Sequence, residues 1–95
     1  MQIENYIPEG KANAISRSSL CSAVGLSDRV VRGHIEDARR RGIIIVNTQD
    51  GSGYFRTQDI DDIKRQYLLN KSRASAILSQ QEFLLGRLRA AGIFV

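Results

Sequence analysis

Five arginines lie between Gly25 and Ile45, in the stretch "GLSDRVVRGHIEDARRRGIII", alongside Asp28, Glu36 and Asp37. A guanidinium fork is suited to phosphate oxygens and to the acceptor edge of guanine, which it can meet with two parallel hydrogen bonds. Anion recognition is therefore the first chemistry to consider. Other chemistry is hard to assemble. His34 is the one histidine and Cys21 the one cysteine, so a zinc set, a histidine pair and an internal disulfide are all excluded. "GSG" at 51–53 lacks the Lys-Ser/Thr that completes a phosphate loop. No catalytic triad or carboxylate dyad is legible. We expect no enzyme, no cofactor, no metal and no small-molecule ligand. Cys21 and His34 are read as packing residues.

Charge points the same way. The 95 residues carry fourteen bases and ten acids, a net charge of +4 and a pI near 9.7. Residues 1–10 hold two acids and no base, residues 11–42 seven bases and three acids, and residues 43–95 seven bases and five acids. A basic middle third favours an acidic partner, nucleic acid above all. The longest wholly apolar β-branched run is Ile43–Val46, far short of a membrane span or a signal core, so a bacterial-type soluble cytoplasmic protein is expected.

The arginines need a scaffold. Ile3, Tyr6 and Ile7 suggest a short opening helix or strand closed by Pro8 and Gly10, and residues 10–14 read as a loop, with at best a short extended piece at Ala14-Ile15. Ser16 is a good cap for a helix over 17–24, and Gly25 a good stop. Leu26 turns inward and Ser27 caps a second helix reaching about Arg41, which Gly42 ends. On that helix Val31, Ile35 and Ala38 form an apolar stripe, and the opposite face centres on Arg29, Gly33, Glu36 and Arg40. Glu36 with Arg40, and Asp37 with Arg41, have the spacing of helical ion pairs. "IIIVNTQDGSGYFR" reads as a β-hairpin with its loop over about 48–53. From Asp59 to about Ala91 the pattern is helical. Ile60, Ile63, Tyr67, Asn70, Ala74, Ile77, Gln81, Leu84, Leu88 and Ala91 recur at 3-4 spacing, a heptad seam in which Asn70 and Gln81 would fix register. At roughly 50 Å, such a helix is too long to pack wholly on a domain of about 55 residues. The expected class is mainly α with a small β-hairpin, arranged as a domain over 1–57 and a self-association helix over 58–95. A fold-back of that helix, broken near Asn70-Lys71-Ser72, is the competing arrangement.

Helix, short turn with glycine, helix and hairpin is the layout of a winged helix-turn-helix. Residues 14–55, through the skeleton "GLS…I…G…GY", resemble bacterial winged helix-turn-helix regulators, including the N-terminal domain of the biotin repressor. With the tail "SRASAIL", the chain as a whole resembles small winged-helix proteins of bacterial prophages. The resemblance implies double-stranded DNA as partner, read in the major groove by helix 27–41 in a transcriptional, replication or excision role. It implies contacts from Ser27, Asp28, Arg29, Arg32, Gly33, Glu36 and Arg40, and phosphate contacts from Ser18 and Ser19. Asn47, Thr48, Gln49, Ser52 and Arg56 would be offered by the hairpin. Gly33 departs from the pattern, since such families usually place a side chain there. A homodimer through the C-terminal helix would present two reading helices. The alternative function is a protein-interaction adaptor, with the winged helix as platform and the long helix as interface.

Overall fold

The computed structural model describes residues 1–95. The chain is mainly α-helical, with a small antiparallel sheet and one long C-terminal helix. Its elements are β1 (Ile15–Ser16), α1 (Arg17–Val24), α2 (Asp28–Arg40), β2 (Ile45–Asn47), β3 (Gly53–Arg56) and α3 (Ile60–Ala90), preceded by two 3-10 turns at Ile3–Tyr6 and Lys11–Asn13. The chain divides into two compact units, Met1–Lys64 and Arg65–Val95.

In the first unit, local chemistry sets the helix ends. The Ser16 hydroxyl accepts from the Ser19 amide at 3.1 Å, and the Ser27 hydroxyl from the Val30 amide at 3.4 Å. Each answers an amide with no partner inside its own helix. At the other end of α2, Gly42 takes φ of 91°. Its amide then bonds the Arg39 carbonyl and that of Ile43 reaches the Ala38 carbonyl, at 3.0 and 3.1 Å. This paired closure is the Schellman motif, and it turns Ile43 back toward the core. Ile43 therefore does not open the strand. The sequence reading placed it there because a β-branched run of four looks extended throughout, and β2 begins only at Ile45.

The sheet is larger than the hairpin expected from sequence. Its order is β1-β3-β2, with Ile15 opposite Tyr54 and Val46 opposite Phe55. Gly53, read from sequence as part of the turn, is a buried strand residue facing Ser16. A Cβ at that position would collide with the Ile15 carbonyl. The segment ahead of β1 continues the closure: Arg56 donates its amide to the Pro8 carbonyl at 2.9 Å, and Gly10 donates to the Arg56 carbonyl at 2.8 Å.

The core joins Leu20 of α1 to Val31, Ile35 and Ala38 of α2, Ile45 and Tyr54 of the sheet, and Ile3 and Ile7 of the opening segment. Cys21, Val24 and Leu26 pack at its margin. Burying Ile3 and Ile7 fully makes the opening segment a wall of the core; each is worth roughly 2 kcal/mol of transfer free energy.

In the second unit, α3 runs unbroken through Asn70, Lys71 and Ser72, so no break falls there. The buried residue of α3 is Gln66, which lies off the 3-4 seam read from sequence. Its amide donates to Asn70 Oδ1 at 2.9 Å. The helix ends on a second Schellman closure, in which Ile93 donates to the Leu88 carbonyl at 2.9 Å and Gly92 takes φ of 80°. Gln81, Leu84, Leu85, Leu88 and Val95 line a shallow, mostly apolar groove there.

Candidate nucleic-acid interface

α2 buries Val31, Ile35 and Ala38 and turns its other face to solvent. Ser27, Asp28, Arg29, Arg32, Gly33, Glu36 and Arg40 are all exposed on or beside that face. The turn Gly25-Leu26-Ser27 joins α1 to α2, and Leu26 fixes it by packing at the core margin. The outward set is therefore positioned by the inward one: the same helical period that buries Ile35 presents Glu36 and Arg40.

The five arginines divide by what their guanidinium groups touch. Arg39 donates through Nε to the Ile45 carbonyl, through Nη2 to Asn47 Oδ1 and through Nη1 to Glu36, each at 3.1 Å. It ties α2 to β2. Arg41 grips Glu4 with two nitrogens at 3.0 and 3.1 Å and reaches Asp37 at 3.4 Å. It ties α2 to the opening segment. The bond from Arg41 holds the Glu4 carboxyl below the usual carboxylate range, and the bond from Glu4 raises Arg41 in return. Arg32 forms an exposed ion pair with Asp28 at 2.8 Å, one turn back. Glu36 pairs with Arg39 rather than with Arg40, the partner its spacing suggested. Arg29 and Arg40 make neither an ion pair nor a hydrogen bond and stay open to an incoming anion. They share one stripe of the helix, eleven residues and about 16 Å of axis apart.

Ser18 and Ser19 are exposed at the start of α1. Ser16 donates its hydroxyl to Ser19 Oγ at 2.9 Å and lies 3.3 Å from Ser18 Oγ, so the cap organises both. Arg56 lies on β3, and its Nε donates to the Ile7 carbonyl at 2.8 Å, with Glu9 3.7 Å from Nη1. The hairpin loop is internally bonded. Asp50 accepts from the Ser52 amide and from the Thr48 and Ser52 hydroxyls, which together hold its carboxyl down at about 2. The loop tip thus carries a fixed negative charge. Gln49 beside it is exposed.

Along α3, the 3-4 seam is mostly exposed: Ile60 at 74%, Tyr67 at 61%, Ile77 and Leu84 at 59%, and Leu88 at 37%. Asn70, Ala74 and Gln81 are exposed as well, and Ile63 is half-buried. No helix is long and apolar enough to cross a membrane, and no group of three or more His, Cys, Asp or Glu side chains is placed to hold a metal ion.

Sequence reasoning missed the structural work of Glu4, Arg39 and Asn47. Glu4 is paired with a residue thirty-seven positions away, and no local pattern signals that. Comparisons with protein-family profiles, with curated proteins and with solved structures each give no match.

Proposed function

We propose that the protein is a winged helix-turn-helix module that binds double-stranded DNA by laying α2 in the major groove. The observation that carries this reading is the pair of unpartnered arginines, Arg29 and Arg40, on the solvent face of a helix whose opposite face is locked in the core. Leaving two guanidinium groups without a carboxylate, in a helix that also holds Asp28, Glu36 and Asp37, fits a phosphate-bearing partner. Arg32 adds a third guanidinium that can exchange Asp28 for a phosphate or a guanine edge. Ser18 and Ser19, exposed at the start of α1, would serve as further phosphate donors. The hairpin contributes little, because Asp50 repels phosphate and the neighbouring hydroxyls are already bonded.

The exposed apolar seam of α3 supports self-association. A second copy would cover Ile77, Leu84 and Leu88 and present two α2 helices to an operator with two half-sites. A regulatory role in transcription, replication or excision, of the kind served by small prophage-encoded proteins in the cytoplasm, fits this arrangement.

The test is binding to a labelled duplex across a salt series. The wild type should lose affinity with a log–log slope of about −0.9 per phosphate contacted. Replacing Arg29 and Arg40 together by alanine should reduce that slope by about 2 while leaving the thermal melt unchanged. Salt-independent binding, or none, removes this reading and leaves an adaptor that recruits protein through the same surfaces.

A further inference from the structure

Gly33 sits in the interior of α2, with helical residues on both sides for more than a turn. Glycine is the poorest helix former after proline, because it loses the most backbone freedom on folding. Inside the protein nothing calls for it. Its φ is not positive, and a Cβ built there would meet nothing within 4 Å beyond its chain neighbours and the adjacent backbone of its own helix. Gly53 makes the contrast: there a backbone strand occupies the space that a side chain would need. Gly33 also stands on the outward stripe, one turn after Arg29 and two turns before Arg40.

We propose that Gly33 is the point of closest approach between α2 and the floor of the DNA major groove, a specificity-determining position that acts by having no side chain. This rests on the DNA-binding reading above. A helix with its side chains measures about 10–12 Å across, close to the groove width of about 12 Å. A side chain at the centre of the inserted face would hold the helix off the base edges. Its absence lets the backbone seat deeper, and Arg29 and Arg40 then reach the phosphates that rise on either side of the seated turn. Arg32, one residue away, gains the reach to place its fork against a guanine edge. The glycine sets depth, and the arginines set grip.

The experiment compares Gly33→Ala, Gly33→Ser and wild type on a duplex recovered from a random-sequence pool by selection with the wild-type protein. Gly33→Ala should melt at a higher temperature than wild type, since alanine favours the helix and meets no obstacle. It should nevertheless bind the selected duplex at least tenfold more weakly, with the salt slope unchanged because no charge is altered. Gly33→Ser should bind as weakly as Gly33→Ala, and the two should bind an unselected duplex almost as well as wild type. If Gly33→Ala binds the selected duplex as tightly as wild type, the inference fails while the DNA-binding reading stands. A lower melting temperature for Gly33→Ala overturns it too, by revealing an internal need for the glycine. If selection with the wild type recovers nothing, the DNA-binding reading fails and this inference falls with it.

Discussion

Arg40 stands between two arginines that hold the fold together, and its own guanidinium makes no ion pair or hydrogen bond. The difference lies in register. Arg39 is close enough to β2 to bond the Ile45 carbonyl and Asn47, and Arg41 reaches across to Glu4. Arg40 is exposed and bonds neither. Arg39→Ala and Arg41→Ala should therefore lower the melting temperature, whereas Arg40→Ala should leave it within a degree or so and weaken duplex binding instead. Calorimetry and a binding isotherm on the three variants separate the roles. Helical spacing alone gave Arg40 a carboxylate partner that the structure gives to Arg39, because i, i+3 and i, i+4 pairs compete for Glu36 and only tertiary contacts decide. Asp50 is the residue with the clearest pH signature. Its folded-state pKa is depressed from 3.8 to about 2, so the stability it contributes is present above pH 3.8 and is lost as pH falls through about 2. Denaturation midpoints measured between about pH 4 and pH 2 should fall less steeply for Asp50→Asn than for wild type.

Helix limits were legible because their causes are local. Ser16, Ser27, Gly25 and Gly42 act on residues within one turn, and each sits where the sequence placed it. Strands were less legible. β1 has two residues and exists only because Ile15 and Ser16 meet Tyr54 and Gly53, which a window along the chain does not contain. The candidate interface divides in the same way. The outward set of α2 follows from periodicity, but which of its charges remain unpaired depends on β2 and on the opening segment. Gly53 gives a sharp test of the β1–β3 approach. Gly53→Ala drives a methyl into the Ile15 backbone, and neither strand has a flexible side-chain end that can yield. It should destabilise the protein by about 1–3 kcal/mol in denaturant melts. Gly33→Ala, the same substitution inside α2, should move stability in the opposite direction.

For the molecule as a whole, the ratio of covered to uncovered apolar surface differs along the chain. Ile3, Leu20, Val31 and Phe55 are fully buried, whereas Ile77, Leu78, Phe83 and Leu84 each expose more than half their surface. Ile77 and Leu84, seven residues apart, share one exposed face of α3, the face that the proposed self-association would cover. On that proposal, Ile77→Asp combined with Leu84→Asp should reduce the solution mass to that of one chain by sedimentation and leave the thermal melt of the first unit in place. Under the proposed DNA-binding reading, duplex binding should then weaken tenfold or more, the gain expected of a second reading helix through effective concentration. A wild type that already sediments as a single chain at high concentration would count against self-association.

The bonds from Arg56 to Pro8, from Gly10 to Arg56 and from Arg17 to the Ser52 carbonyl join segments that are far apart in the chain. Each bond closes between segments distant in the chain, so breaking it requires those segments to separate. In deuterated solvent the amides of Gly10, Arg17 and Arg56 should be among the last of the first unit to exchange, at the rate of its cooperative opening. Three slow protons, one from each segment, would report in a single spectrum whether those segments open as one body.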